Sequence, residues 1–102
     1  MEKYQKELDK WFQEKGWEYW SPHEILVRLM EESGELARLV NHLYGPKKKK
    51  DTEAKQDVEE EIGDILYTLI CYANSNGINL DSAIRKSFDK VITRDKDRYG
   101  KN

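Results

Sequence analysis

A chain of 102 residues is one domain at most, and its formal net charge of −2, from 18 Lys and Arg against 20 Asp and Glu, excludes a global pull toward nucleic acid polymers or an acidic membrane surface. Any phosphate binding is therefore local. The single cysteine excludes an intramolecular disulfide, no apolar run approaches the ~20 residues that a bilayer-spanning helix needs, and the N-terminus has no apolar signal core, which together fit a reducing cytoplasm.

Only two prolines interrupt the chain. Alternation of β-branched residues is nearly absent and apolar residues recur at three- and four-residue spacing, so the fold class is all-α. A first helix is expected from about Glu2 to Lys15, with Tyr4, Leu8, Trp11 and Phe12 on one side and Gly16 ending it. Tyr4, Trp11 and Trp17 read as core or interface residues. An aromatic linker, Trp17-Glu-Tyr-Trp20, leads to Ser21-Pro22-His23-Glu24, a capping box with proline at the first helical position. The second helix that starts there runs to Gly45-Pro46, a length of about 35 Å. Beyond the lysines 47–50, which read as a soluble loop rather than a steering patch, Asp51 or Thr52 caps a third helix. That helix reaches Asn74 or Ser75 and is closed by Asn76-Gly77; inside it Cys71 reads as a small buried hydrophobe. A last helix begins near Asp81-Ser82, carries Ala83, Ile84, Phe88, Val91 and Ile92, and fades around Arg98.

Carboxylates stand where the apolar stripe should be unbroken. At 100° per residue, Ile25, Leu29, Leu36, Leu39 and Leu43 all fall within about 60° of Glu32, so Glu32 points inward. Glu35 follows at i+3, close enough to repel it. The third helix repeats the arrangement, with Ala54, Val58, Ile65, Leu69 and Tyr72 around the direction of Glu61, and Asp64 at i+3. Gly34 and Gly63 sit inside these two acid pairs, where each costs roughly 1 kcal/mol relative to alanine; close backbone packing or a ligand would make that tolerable. Buried carboxylates need a compensating cation. Antiparallel second and third helices would gather the four acids into an oxygen site suited to Mg²⁺ or Mn²⁺. Zinc is disfavoured because neither His23 nor His42 falls at ligand spacing, and a di-iron bundle because Glu-x-x-His pairs are absent. The plain alternative is a solvated acidic face, which Glu31, Glu59 and Glu60 do fit.

These residues carry a resemblance. Glu31-Glu32-Ser-Gly-Glu35, followed after positions 36–60 by Glu61-Ile-Gly-Asp64, resembles the Glu-Glu-x-x-Glu and Glu-x-x-Asp signature of the MazG-type all-α nucleoside triphosphate pyrophosphohydrolases. Leu36-Ala37, Asp64-Ile-Leu and the ending Arg94-Asp95-Lys-Asp-Arg98-Tyr99 extend the likeness over roughly residues 20–100, and the turn and ending look like a compact single-domain MazG-like subgroup. The resemblance implies a single domain over residues 1–102, a four-helix MazG-like bundle whose core is completed by homo-oligomerisation into a dimer or tetramer, and a nucleoside triphosphate substrate. It implies Mg²⁺-dependent cleavage between the α- and β-phosphates, in the service of nucleotide-pool housekeeping. Glu32, Glu35, Glu61 and Asp64 would be the metal ligands, with Glu35, or else Glu31, as the base. Lys90 and Arg98 would meet the polyphosphate by their position in the family. Asp95 stands where relatives often have asparagine, and Trp20 and His42 stand where related deoxycytidine triphosphatases carry a substrate-contacting histidine and a tryptophan. Two other readings stay open: a non-catalytic helical interaction module with a structural metal site, and a pyrophosphohydrolase of the phosphoribosyl-ATP type.

Overall fold

The computed structural model describes residues 1–44 and 51–99, with side chains over 1–44 and 55–95. Four helices follow one another: α1 (Glu2–Lys15), α2 (Pro22–Tyr44), α3 (Asp51–Ser75) and α4 (Leu80–Tyr99). There is no strand among the described residues, and none of the helices is long and apolar enough to cross a membrane. Gly45-Pro46, the lysines 47–50 and the side chains of Asp51, Thr52 and Ala54 lie outside the described set.

The local signals explain where the helices begin and end. Gly16 adopts a left-handed conformation with φ 70°, and its N–H and that of Trp17 return to the carbonyls of Gln13 and Phe12, closing the last turn of α1. At the start of α2, Ser21 Oγ accepts from the Glu24 N–H at 3.3 Å, the first bond of the capping box, and donates to the Glu24 carboxylate at 3.1 Å. Gly77 takes φ 67° in the turn after α3. The fourth helix starts at Leu80, slightly before the expected Asp81-Ser82. Its cap is Asn79, whose side-chain oxygen accepts from the Ser82 N–H at 3.0 Å.

The described residues cluster into two compact units. One comprises residues 1–17 and those from 73 onward. Its centre is polar: Gln5 is buried in α1, where its side-chain amide donates to the Ile78 carbonyl (2.8 Å) and to Asn74 Oδ1 (3.1 Å), while its Oε1 accepts from the Leu80 N–H (2.9 Å). Asn74 Nδ2 completes the lattice by donating to the Gln5 carbonyl at 2.9 Å. Phe12 is buried beside the rings of Trp11 and Trp17, which meet edge to face at 4.9 Å. The expected apolar side of α1 is thus divided, since Tyr4 and Trp11 remain exposed while a glutamine goes inside. Gln5 is the residue that can satisfy the polar backbone of the α3–α4 turn.

The second unit, residues 18–72, holds α2 and the greater part of α3. Ile25 and Leu39 are buried, with Leu29, Leu36 and Leu43 half-buried, as the α2 stripe requires. On the part of α3 in this unit the buried side chains among the described residues are Glu61, Thr68, Ile70 and Cys71, and Ala73, just beyond it, is buried as well. Leu69 and Tyr72, expected on the inner stripe, are more exposed than Thr68, which lies seven residues from Glu61 and so returns to almost the same direction. Gly34 and Gly63 do not mark tight helix packing among the described residues: a Cβ at either would meet none of their atoms within 4 Å. Each lies two residues beyond an inward carboxylate, about 200° around the helix, and therefore on its outer side.

Candidate metal centre

Helical spacing brings the acids of α2 and α3 into one place. Glu32, Glu61 and Asp64 each offer a carboxylate oxygen, and the three oxygens lie within 4.8 Å of one another. Their exposure is graded, from buried Glu61 through half-buried Glu32 to exposed Asp64. Glu61 Oε1 is buried without a hydrogen-bond partner among the described residues. A carboxylate oxygen in that situation is costly unless something positive meets it.

Electrostatics record the same strain. The Glu61 carboxyl is pushed up to about 7, chiefly because in its protonated form it donates a hydrogen bond to Glu32, and further because burial and the charges of Glu32, Asp64 and Glu35 all oppose its ionisation. Thr68, buried one turn beyond Asp64, donates its hydroxyl to the Asp64 carbonyl at 2.9 Å. Among the described residues Glu32 has one cationic contact, Arg28 Nε at 3.5 Å from Oε1.

Glu35 stands outside this group of three. Its carboxylate is exposed and pairs with Arg38 Nη2 at 2.8 Å, a contact that raises the guanidinium's pKa by hydrogen bonding and by charge. His42, one turn further along α2, has Nε2 3.5 Å from Arg38 Nη1. Beside the carboxylates, an open cleft of about 380 Å³ is lined by Trp20, His23, Glu24, Val27, Arg28 and Glu31, and the Arg28 guanidinium lies over the Trp20 ring, 5.1 Å from its centroid. Lys90 and Asp95 are on α4 in the other unit, Lys90 exposed and Asp95 3.7 Å from Arg94. The side chain of Arg98 lies outside the described residues.

Two further residues stand near the carboxylates by helical spacing. Arg28 sits four residues before Glu32, and Thr68 occupies the inner stripe seven residues after Glu61, so each follows from the 3.6-residue period. Cys71 is buried beside Tyr67; burial pushes the thiol up, with the Tyr67 hydroxyl opposing, and pushes the Tyr67 phenol up as well.

A model of the MazG nucleotide pyrophosphohydrolase domain matches residues 20–99. The chain belongs to the MazG family. Among its relatives, the uncharacterized Bacillus subtilis (strain 168) protein YpjD is 48% identical over 99 residues, covering 97% of this chain and 89% of that one. YvdC of the same organism is 30% identical over 96 residues, covering 88% and 91%. The crystal structure of B. subtilis YPJD, described as a candidate pyrophosphatase, superposes with a TM-score of 0.73 at 46% identity over 88% of this chain and 90% of that one. At family level the chemistry is nucleotide pyrophosphohydrolysis, for which dependence on a divalent metal is typical, and this MazG chain presents a carboxylate cluster in keeping with it.

Proposed function

We propose that this chain is a Mg²⁺-dependent pyrophosphohydrolase that cleaves ribo- or deoxyribonucleoside triphosphates between the α- and β-phosphates, giving the monophosphate and pyrophosphate. The observation that carries the reading is the convergence of Glu32, Glu61 and Asp64 with one buried, unpartnered oxygen on Glu61. Three carboxylates so close repel unless a cation lies among them, and an all-oxygen donor set with neither thiolate nor imidazole suits a hard ion such as Mg²⁺, with Mn²⁺ as the substitute. The residues present therefore fit the metal. Glu32, Glu61 and Asp64 would hold it, with Glu35 as a further ligand once it leaves Arg38. When bound, such an ion supplies neutralising charge to phosphate oxygens and acidity to water.

The protein's own groups do the rest. Glu35, solvent-exposed beside the group of three, is the general base that takes the proton of the attacking water; Glu31, which lines the cleft, is the alternative. Trp20 offers an indole face for the base, and His42, Lys90, Asp95 and Arg98 complete the substrate contacts by their positions in the family. One domain spans residues 1–102, it works in the cytoplasm, and it assembles as a homodimer or homotetramer. Support for assembly comes from the small number of buried apolar side chains among the described residues, beside exposed Leu26, Met30, Ile62 and Leu66 on α2 and α3. The test is a panel of nucleoside triphosphates with Mg²⁺. Pyrophosphate and monophosphate are the expected products, with Glu61→Gln losing at least about 100-fold in kcat/KM while remaining helical, as for loss of an essential electrostatic group. Release of orthophosphate alone, or an active Glu61→Gln variant, would overturn the reading.

A further inference from the structure

We propose that Arg28 is a positioning residue that links divalent-ion loading at Glu32 to the opening of the Trp20 ring face; the proposal rests on reading Glu32, Glu61 and Asp64 as a cation site. One guanidinium serves both partners, with Nε 3.5 Å from Glu32 Oε1 and Cζ 5.1 Å from the centre of the Trp20 ring. Helical side chains lean toward the N-terminus, so Glu32 leans back upon Arg28, and Arg28 leans back toward Trp20 ahead of the helix. The three form a short relay from the carboxylate cluster to the cleft.

Neither end of the relay is compatible with a loaded site. A planar base stacks with its centre about 4.5–7 Å from an indole, the space that the guanidinium now fills on that face. At the other end, a dication held by Glu32 would compete with the guanidinium for that carboxylate and repel it. The contact yields readily, because a cation four residues before an anion is the weaker orientation of a helical pair and Arg28 is half exposed. Glu24 and Glu31 line the same cleft and offer other partners for a released guanidinium, as do the phosphates of an incoming nucleotide. Arg28 thus competes with the ion for Glu32 and with the base for Trp20. Because coupling between sites is reciprocal, displacing it at one end favours binding at the other.

The test is Mg²⁺ binding without nucleotide, measured by calorimetry on the full chain and on Arg28→Ala and Arg28→Gln, with tryptophan emission followed in parallel. Both variants are expected to bind Mg²⁺ about two- to fivefold more tightly than the parent, the range that loss of an exposed ion pair allows. Mg²⁺ is expected to change the emission of the parent, and that change should vanish in Trp20→Phe and in both Arg28 variants. Equal or weaker Mg²⁺ binding by Arg28→Ala and Arg28→Gln, or an emission change that survives in them, would overturn the role of Arg28 while leaving the cation site standing. A parent chain that binds no Mg²⁺ would overturn both.

Discussion

At Glu61 burial and charge act in the same direction. Its carboxyl is raised from 4.5 to about 7 by the hydrogen bond to Glu32, by burial and by three neighbouring carboxylates. A group whose pKa is higher folded than unfolded favours the folded state while protonated, so its contribution is fully present below pH 4.5 and is lost as pH rises through about 7. Metal-free protein is therefore expected to lose stability between pH 5 and pH 8. The loss should be about 1–2 kcal/mol, less than the full shift implies, because Asp64 at the edge of the cluster is exposed to screening solvent. Urea denaturation in EDTA at the two pH values measures it. Glu61→Gln should abolish this part of the pH dependence, and Mg²⁺ should restore stability to the parent at pH 8.

At the scale of the helices, two features carry distinct expectations. Gln5 joins α1 to the α3–α4 turn through its amide, and removing it strands the Leu80 N–H and the Ile78 carbonyl in a part-buried setting. Gln5→Leu should cost about 2–4 kcal/mol, as expected when several part-buried polar groups lose their partner together, and should lower Tm without affecting Mg²⁺ affinity. Gly63 has open space on its outer side, so Gly63→Ala should stabilise α3 by up to about 1 kcal/mol, read from thermal unfolding. A loss of stability instead would mean that a second copy packs against that side of the helix.

For the whole molecule the proposed assembly follows from exposed apolar side chains. Leu26, Val27 and Met30 on α2, Ile62 and Leu66 on α3, and Ile84, Phe88 and Ile92 on α4 are all open to solvent, whereas the buried apolar set among the described residues is Phe12, Ile25, Leu39, Ile70, Cys71 and Ala73. So small a core offsets little of the chain's conformational entropy. Sedimentation should give two or four times the chain mass, and Leu66→Glu should shift the distribution toward smaller species with a fall in Tm. A monodisperse monomer in the parent would remove the assembly proposal.

The residues themselves determined the helices, because helix limits rest on interactions a few positions apart. The Ser21–Glu24 box and the left-handed turns at Gly16 and Gly77 are written in adjacent letters, and the inward direction of Glu32 and Glu61 follows from a 100° rotation per residue. The paired acid motifs likewise carried the family. Tertiary structure alone decided which carboxylates meet: Glu32, Glu61 and Asp64 converge, while Glu35, with the same spacing from Glu32 that Asp64 has from Glu61, turns to Arg38. It also decided that Gln5 is buried rather than Trp11, because Gln5 bonds to residues 69 to 75 positions away. Periodicity gives the direction of a side chain from its own helix axis; what stands opposite depends on how distant segments pack, and that is a property of the folded chain.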